Sequence, residues 1–93
     1  DVPVLKPRRL GSVTPVYPAI LRERGIEADV VVVVTIGVDG SVTKVELVGP
    51  ASDPSFNDAA LAAARAERYE PATQGGVPVV FTQRFTIRFR LND

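Results

Sequence analysis

The spacing of apolar side chains changes character several times along the 93 residues, and each change marks an element. The clearest pattern is the last. Phe81, Phe85, Ile87, Phe89 and Leu91 share one parity, and Thr82, Arg84, Thr86, Arg88 and Arg90 share the other. A period of two predicts a half-buried β-strand, here from about Val79 to Leu91. Gln83 interrupts the apolar parity, which on the pattern alone favours a frayed strand start over a polar contact along the ladder. Val30 to Val38, by contrast, is apolar on both parities, as expected of a strand buried on both faces or central in its sheet. Asp39-Gly40 follows as a turn dipeptide, because glycine accepts the positive φ such turns require. Ser41 to Val48 mixes Lys44 and Glu46 with Val45 and Leu47, and reads as the outer strand of the hairpin.

Two segments have helical character. Pro18 fits a first helical position, Ile20 and Leu21 supply a narrow apolar side, and Gly25 is placed to end the helix in the left-handed conformation with Ile26 packing back. This predicts a short helix from Pro18 to Arg24. The second helix follows the loop Gly49 to Ser55, where Ser55 and Asp58 approximate a capping box. Ala59, Ala60, Ala62, Ala63, Ala64 and Ala66 favour the helix, and Phe56 and Leu61 are its only bulky anchors, so it should lie close against a sheet. Pro71 stops it, and Ala72 to Pro78 reads as a loop with its flexible point at Gly75-Gly76. Residues 1–15, with Pro3, Pro7, Pro15 and Gly11, read as an extended lead-in. That segment either lies across the domain through Val4, Leu5 and Leu10 or is a linker tail.

The order αββαβ predicts an α+β domain over residues 16–93. Its three-stranded antiparallel or mixed sheet takes the spatial order 2-1-3, because the crossover helix returns the last strand beside the valine strand. Both helices cover one face, and the last strand becomes an edge. Val31 and Val33 then point away from the helices, as a dimer face or as a surface the lead-in covers.

Composition narrows the chemistry. The hydrophobic content is 45%, and eleven basic residues balance eleven acidic ones, which counts against a general nucleic-acid binder. With no cysteine and no histidine, the commonest nucleophile, acid–base and ligand types are missing. Ser12, Ser41, Ser52 and Ser55 sit in turn or cap contexts, and Asp39, Asp53 and Asp58 are explained by turns and a cap. No metal loop is present. Catalysis is therefore not expected, nor is a cofactor. No run approaches the roughly 18 apolar residues of a membrane span. The chain opens on Asp1 without an initiator methionine, which suggests a fragment of something longer.

Several motifs together resemble the C-terminal domain of TonB-type energy transducers: Tyr17-Pro18, Arg24-Gly25-Ile26-Glu27, the hairpin with Asp39-Gly40 at its turn, Phe56 to Ala72, and Gly75 to Val79. The similarity spans roughly residues 14–91. The family usually has a glycine after the Ile-Glu pair, where this chain has Ala28-Asp29. The resemblance implies a periplasmic domain of an inner-membrane-anchored protein that links a proton-driven motor to an outer-membrane transporter or other envelope partner. It also implies capture of an extended partner segment as an added strand on the edge of the last strand. The partner-binding residues would be Val80, Phe81, Thr82, Gln83, Arg84, Phe85, Thr86, Ile87, Arg88 and Phe89, mostly through backbone, with Tyr17 either contacting the segment or capping the first helix.

Charged side chains are also a usual defence of sheet edges, so Arg84, Arg88 and Arg90 serve edge protection, an acidic or carbonyl-rich partner, or both. Pro18, Tyr69 and Pro71 read as structural, and Arg8-Arg9 as a solvated tail. Two rival functions remain: docking in a trans-envelope motility or scaffold machine, and self-association as a homodimer paired through the last strand.

Overall fold

A computed structural model describes residues 2–11 and 13–91. Asp1, Ser12, Asn92 and Asp93 lie outside the described residues, and with them the turn role read for Ser12. In chain order the elements are β1 (Val4–Leu5), β2 (Arg8–Arg9), α1 (Ala19–Glu23), β3 (Ala28–Ile36), β4 (Val42–Gly49), α2 (Pro54–Ala66), β5 (Tyr69–Glu70), β6 (Ala72–Gln74), β7 (Val77–Val79) and β8 (Phe81–Phe89).

The main sheet runs β4-β3-β8, with both neighbours antiparallel to β3. The valine strand is therefore central. Val30, Val32, Val34 and Ile36 are at most 1% exposed beneath the helices, while Val31, Val33 and Thr35 alternate onto the open face and are only half-buried. The two ladders of β3 differ in regularity. Against β8 the register is unbroken from Ala28↔Phe89 to Ile36↔Phe81. Against β4 it shifts between Val31 and Val32 and again between Thr35 and Ile36. In both shifts the extra residue, Val48 or Thr43, belongs to β4, so β4 is the bulged strand.

Both helices lie on one face. From α2, Phe56, Ala60, Ala63 and Ala64 form a buried stripe at helical spacing. From α1, Leu21 reaches the same core, where Phe56 and Phe89 sit 4.9 Å apart and Tyr17 meets both rings edge-on at 5.7 Å. Several boundaries differ from the sequence reading, most by one or two residues: β3 is Ala28–Ile36 rather than Val30 to Val38, and β4 is Val42–Gly49 rather than Ser41 to Val48. Pro18 is the N-cap of α1 rather than its first residue. The N-cap of α2 is Asp53, not Ser55: its carboxylate accepts from the Ser55 N–H at 2.8 Å, and Pro54 occupies the first turn, where its missing donor costs nothing. β8 ends at Phe89, short of Leu91. Gly25 does end α1 at φ +70°, with Gly25 N–H bonded to Arg22 O and Ile26 N–H to Leu21 O, the paired bonds of a Schellman cap.

The larger difference is a second hairpin. Ala72 to Pro78, read as loop, contributes β6 and β7, joined at Gly75-Gly76 with φ of +60° and +81°. The lead-in completes this structure: β1 pairs with β6, and β2 pairs with β5. Arg8 and Arg9 are thus not a solvated tail, since Arg8 bridges Glu70 at 2.8 Å and Arg9 bridges Glu67 at 3.3 Å. Nor does the lead-in cover Val31 and Val33, because Arg9 lies over the Phe85 ring on the helix side of the sheet. The small sheet extends the molecule to 51 × 23 × 19 Å. Its radius of gyration, 15.0 Å, exceeds the roughly 12 Å of a compact domain of this length.

Candidate functional site

β8 is an edge: among the described residues its only ladder partner is β3. The crossover through α2 places this strand at the edge, and its polar parity faces the open side of the sheet. Thr82, Arg84, Thr86 and Arg88 are exposed, while Phe81, Gln83, Phe85 and Ile87 are half-buried and Phe89 is 2% exposed. Of the candidate residues, Phe81 to Phe89 thus form one continuous strand. Val80 stands apart, 60% exposed in the break between β7 and β8. The strand does not fray at Gln83, which pairs with Val34, and the ladder continues to Phe81. The reason is positional: β3 runs on to Ile36 and supplies a partner for every residue to that end.

The three outward arginines are not equivalent. Arg90 is committed to its own domain, bridging Asp29 at 2.7 Å and donating to Ala28 O at 3.2 Å. Arg84 and Arg88 have no ion-pair partner among the described residues. Tyr17 belongs to the core as much as to the edge. Its hydroxyl donates to Ile26 O, its ring packs on Phe89, and the Arg22 guanidinium stands 5.9 Å from its centroid.

Sequence reasoning missed the wall beside β8. Tyr69 is 5% exposed and stacks on Phe85 with centroids 6.1 Å apart. Burial pushes the Tyr69 phenol up from its ordinary pKa, partly offset by the nearby Arg9. Glu67, 7% exposed, is the buried charged residue here, and Arg9 neutralises it while covering Phe85. Between this wall, α2 and β8 lies a cavity of about 180 Å³ that also touches Val13 and Pro15. No period in the sequence connects Arg9 to Glu67. Their meeting depends on the register of β2 against β5, and two-residue strands carry no pattern.

Comparison with known proteins agrees with this geometry. A family described as Gram-negative bacterial TonB protein C-terminal matches residues 13–91. Protein TonB of Vibrio cholerae serotype O1 is 33% identical over 80 residues, which cover 86% of this chain and 33% of that protein. The chain therefore spans about a third of the length of this curated relative. The solution NMR structure of the Pseudomonas aeruginosa TonB CTD superposes with a TM-score of 0.79 at 27% identity, covering 95% of this chain and 89% of that one.

Proposed function

Because the chain belongs to the family of Gram-negative bacterial TonB C-terminal domains, we propose that it is the partner-binding end of a periplasmic energy transducer. It captures an extended segment of an outer-membrane protein as an added strand on β8 and carries tension to it from an inner-membrane motor. Strand addition draws affinity from main-chain hydrogen bonds and needs an unpaired, regular edge.

The observation that carries the reading is the contrast between the two edges of the main sheet. β8 is bulge-free over nine residues, whereas β4 is bulged twice. Bulges twist a strand and interrupt its row of donors and acceptors, so β4 is the poorer template. Arg84 and Arg88 flank the added strand on the open face and favour a segment with carboxylates on that parity. Phe81 to Phe89 act through backbone, and Tyr17 supports Phe89 from behind.

The test is a titration of the isotope-labelled domain with N-terminal peptides from candidate outer-membrane proteins, read on backbone amides. Shifts concentrated on alternate amides of β8 support capture. Single prolines at Gln83 and at Thr86 sharpen the test, because N–H groups at odd and even positions alternate between β3 and the free edge. The proline that leaves stability intact is the one at the free edge, and it should abolish binding. If that variant binds as the parent does, strand addition at β8 is wrong.

A further inference from the structure

The cavity beside β8 is a second feature of the same edge. Its lining includes Thr86 and Arg88, which alternate away from the core, so the space reaches the backbone of the free edge. Resting on the strand-capture reading above, we propose that this cavity is a side-chain pocket, filled by one bulky apolar residue of the captured segment.

The placement follows from strand geometry. A strand laid on β8 projects every second side chain toward the helices, one per roughly 7 Å, so one of them falls at the mouth. The space exists because α2 presents Ala63 and Ala64 there instead of larger residues, and Val13 and Pro15 line it from the lead-in. At about 180 Å³ it is several times the roughly 30 Å³ share of a water molecule, which suits leucine or phenylalanine.

Charge decides the rest of the guest. The buried carboxylate in the wall, Glu67, is already neutralised by Arg9 at 3.3 Å and leaves no demand for a cation. Arg88, without an ion-pair partner among the described residues, stands at the mouth on the outward parity. The segment that fits therefore carries a large apolar residue on the helix-facing parity and an acidic residue beside it on the other. This is the arrangement in which main-chain pairing supplies affinity and a pocket supplies specificity.

The test uses host–guest decapeptides of alternating Thr and Glu, with one Thr position replaced by Ala, Leu or Phe, titrated against the labelled domain. Leu and Phe guests should bind roughly 10–100-fold tighter than Ala, the span a hydrophobic pocket provides. Ala63→Leu, which fills the pocket from α2, should erase that preference. Val13→Phe narrows the pocket from the lead-in and serves if Ala63→Leu does not fold. Equal affinity for all three guests, or an undiminished Leu preference in a folded pocket-filled variant, overturns the proposal. If no peptide of any guest shifts the β8 amides, strand capture itself fails, and the pocket assignment fails with it.

Discussion

Gly40 and Gly76 have nearly the same backbone, φ +84° and +81°, but very different surroundings. A Cβ at Gly76 meets nothing within 4 Å, whereas one at Gly40 would lie 1.8 Å from the Tyr69 carbonyl oxygen. Alanine at Gly76 therefore carries only the cost of a left-handed L-residue, about 1–2 kcal/mol. Alanine at Gly40 carries the same cost and must also displace Tyr69. That movement breaks the Tyr69 N–H to Gly40 O bond of 3.0 Å, leaving buried polar groups unsatisfied for about 1–3 kcal/mol more. The sum is about 2–5 kcal/mol, a large share of the stability of a domain this size. Urea unfolding followed by far-UV circular dichroism measures both variants. With a slope of about 1 kcal/mol/M, Gly40→Ala should lower the midpoint by about 2–5 M and Gly76→Ala by about 1–2 M. Because Tyr69 stacks on Phe85, Gly40→Ala should also disturb the β8 amides. Equal losses in the two variants would refute the close-approach reasoning and leave only backbone conformation.

Arg9→Ala should cost about 1–2 kcal/mol in the same assay, because it strands the buried Glu67 carboxylate; Arg8→Ala, whose bridge to Glu70 is exposed, should cost under about 0.5 kcal/mol. Phe89→Ala removes a ring buried between Tyr17 and Phe56 and should cost about 3–5 kcal/mol, with loss of the β8 amide pattern at the Phe89 end. The Asp39 carboxyl is held below its ordinary pKa chiefly by the Ser41 hydroxyl, which donates at 2.7 Å, and by the Ser41 N–H at 3.0 Å. Its folded pKa lies below the unfolded one, so its contribution is present above about pH 4 and lost as pH falls through the folded value. Asp39→Asn should therefore flatten the stability profile below about pH 4, and an unchanged acid limb would remove Asp39 from the account.

How much of this was legible in the sequence depended on element length. β3 and β8 span nine residues each, long enough for two-sided apolarity to announce a central strand and for near-regular alternation to announce a half-buried one, which the αββαβ order then places at the edge. The alanines of α2 announced close helix–sheet packing, and Ala60 is fully buried. β1, β2, β5, β6 and β7 have two or three residues each, too few to establish a period of two. Their pairing comes from register, and register was set elsewhere: Tyr69 is anchored to Gly40 across the hairpin turn, and Leu10 N–H bonds to Arg68 O at 2.9 Å. For the same reason the edge could be read and the pocket could not. The edge follows from the order of the long elements, while the pocket needs Val13, Ala63 and Ile87 to converge from three separate segments.

The chemistry of the open edge also bears on what it should not bind. Two copies pairing antiparallel through β8 about a two-fold axis at Thr86 would set Arg84 of each against Arg88 of the other on one sheet face. Directly opposed like charges destabilise strand pairs, by roughly 0.2–1 kcal/mol for each such contact. Neither arginine has an ion-pair partner among the described residues that would relieve this. A partner strand with carboxylates on that parity would turn the same two positions from repulsive to attractive, and under the proposed strand capture the edge would then discriminate between a foreign segment and itself. Salt separates the two cases, since screening weakens both effects. Raising ionic strength from about 0.05 M to 0.5 M shortens the Debye length from about 14 Å to about 4 Å. Sedimentation equilibrium should then show a monomer at low salt and any self-association growing as salt is added, while capture of Glu-bearing peptides weakens. A dimer that is strongest at low salt would show that self-pairing does not oppose these arginines, and discrimination at this edge would have to come from something other than charge.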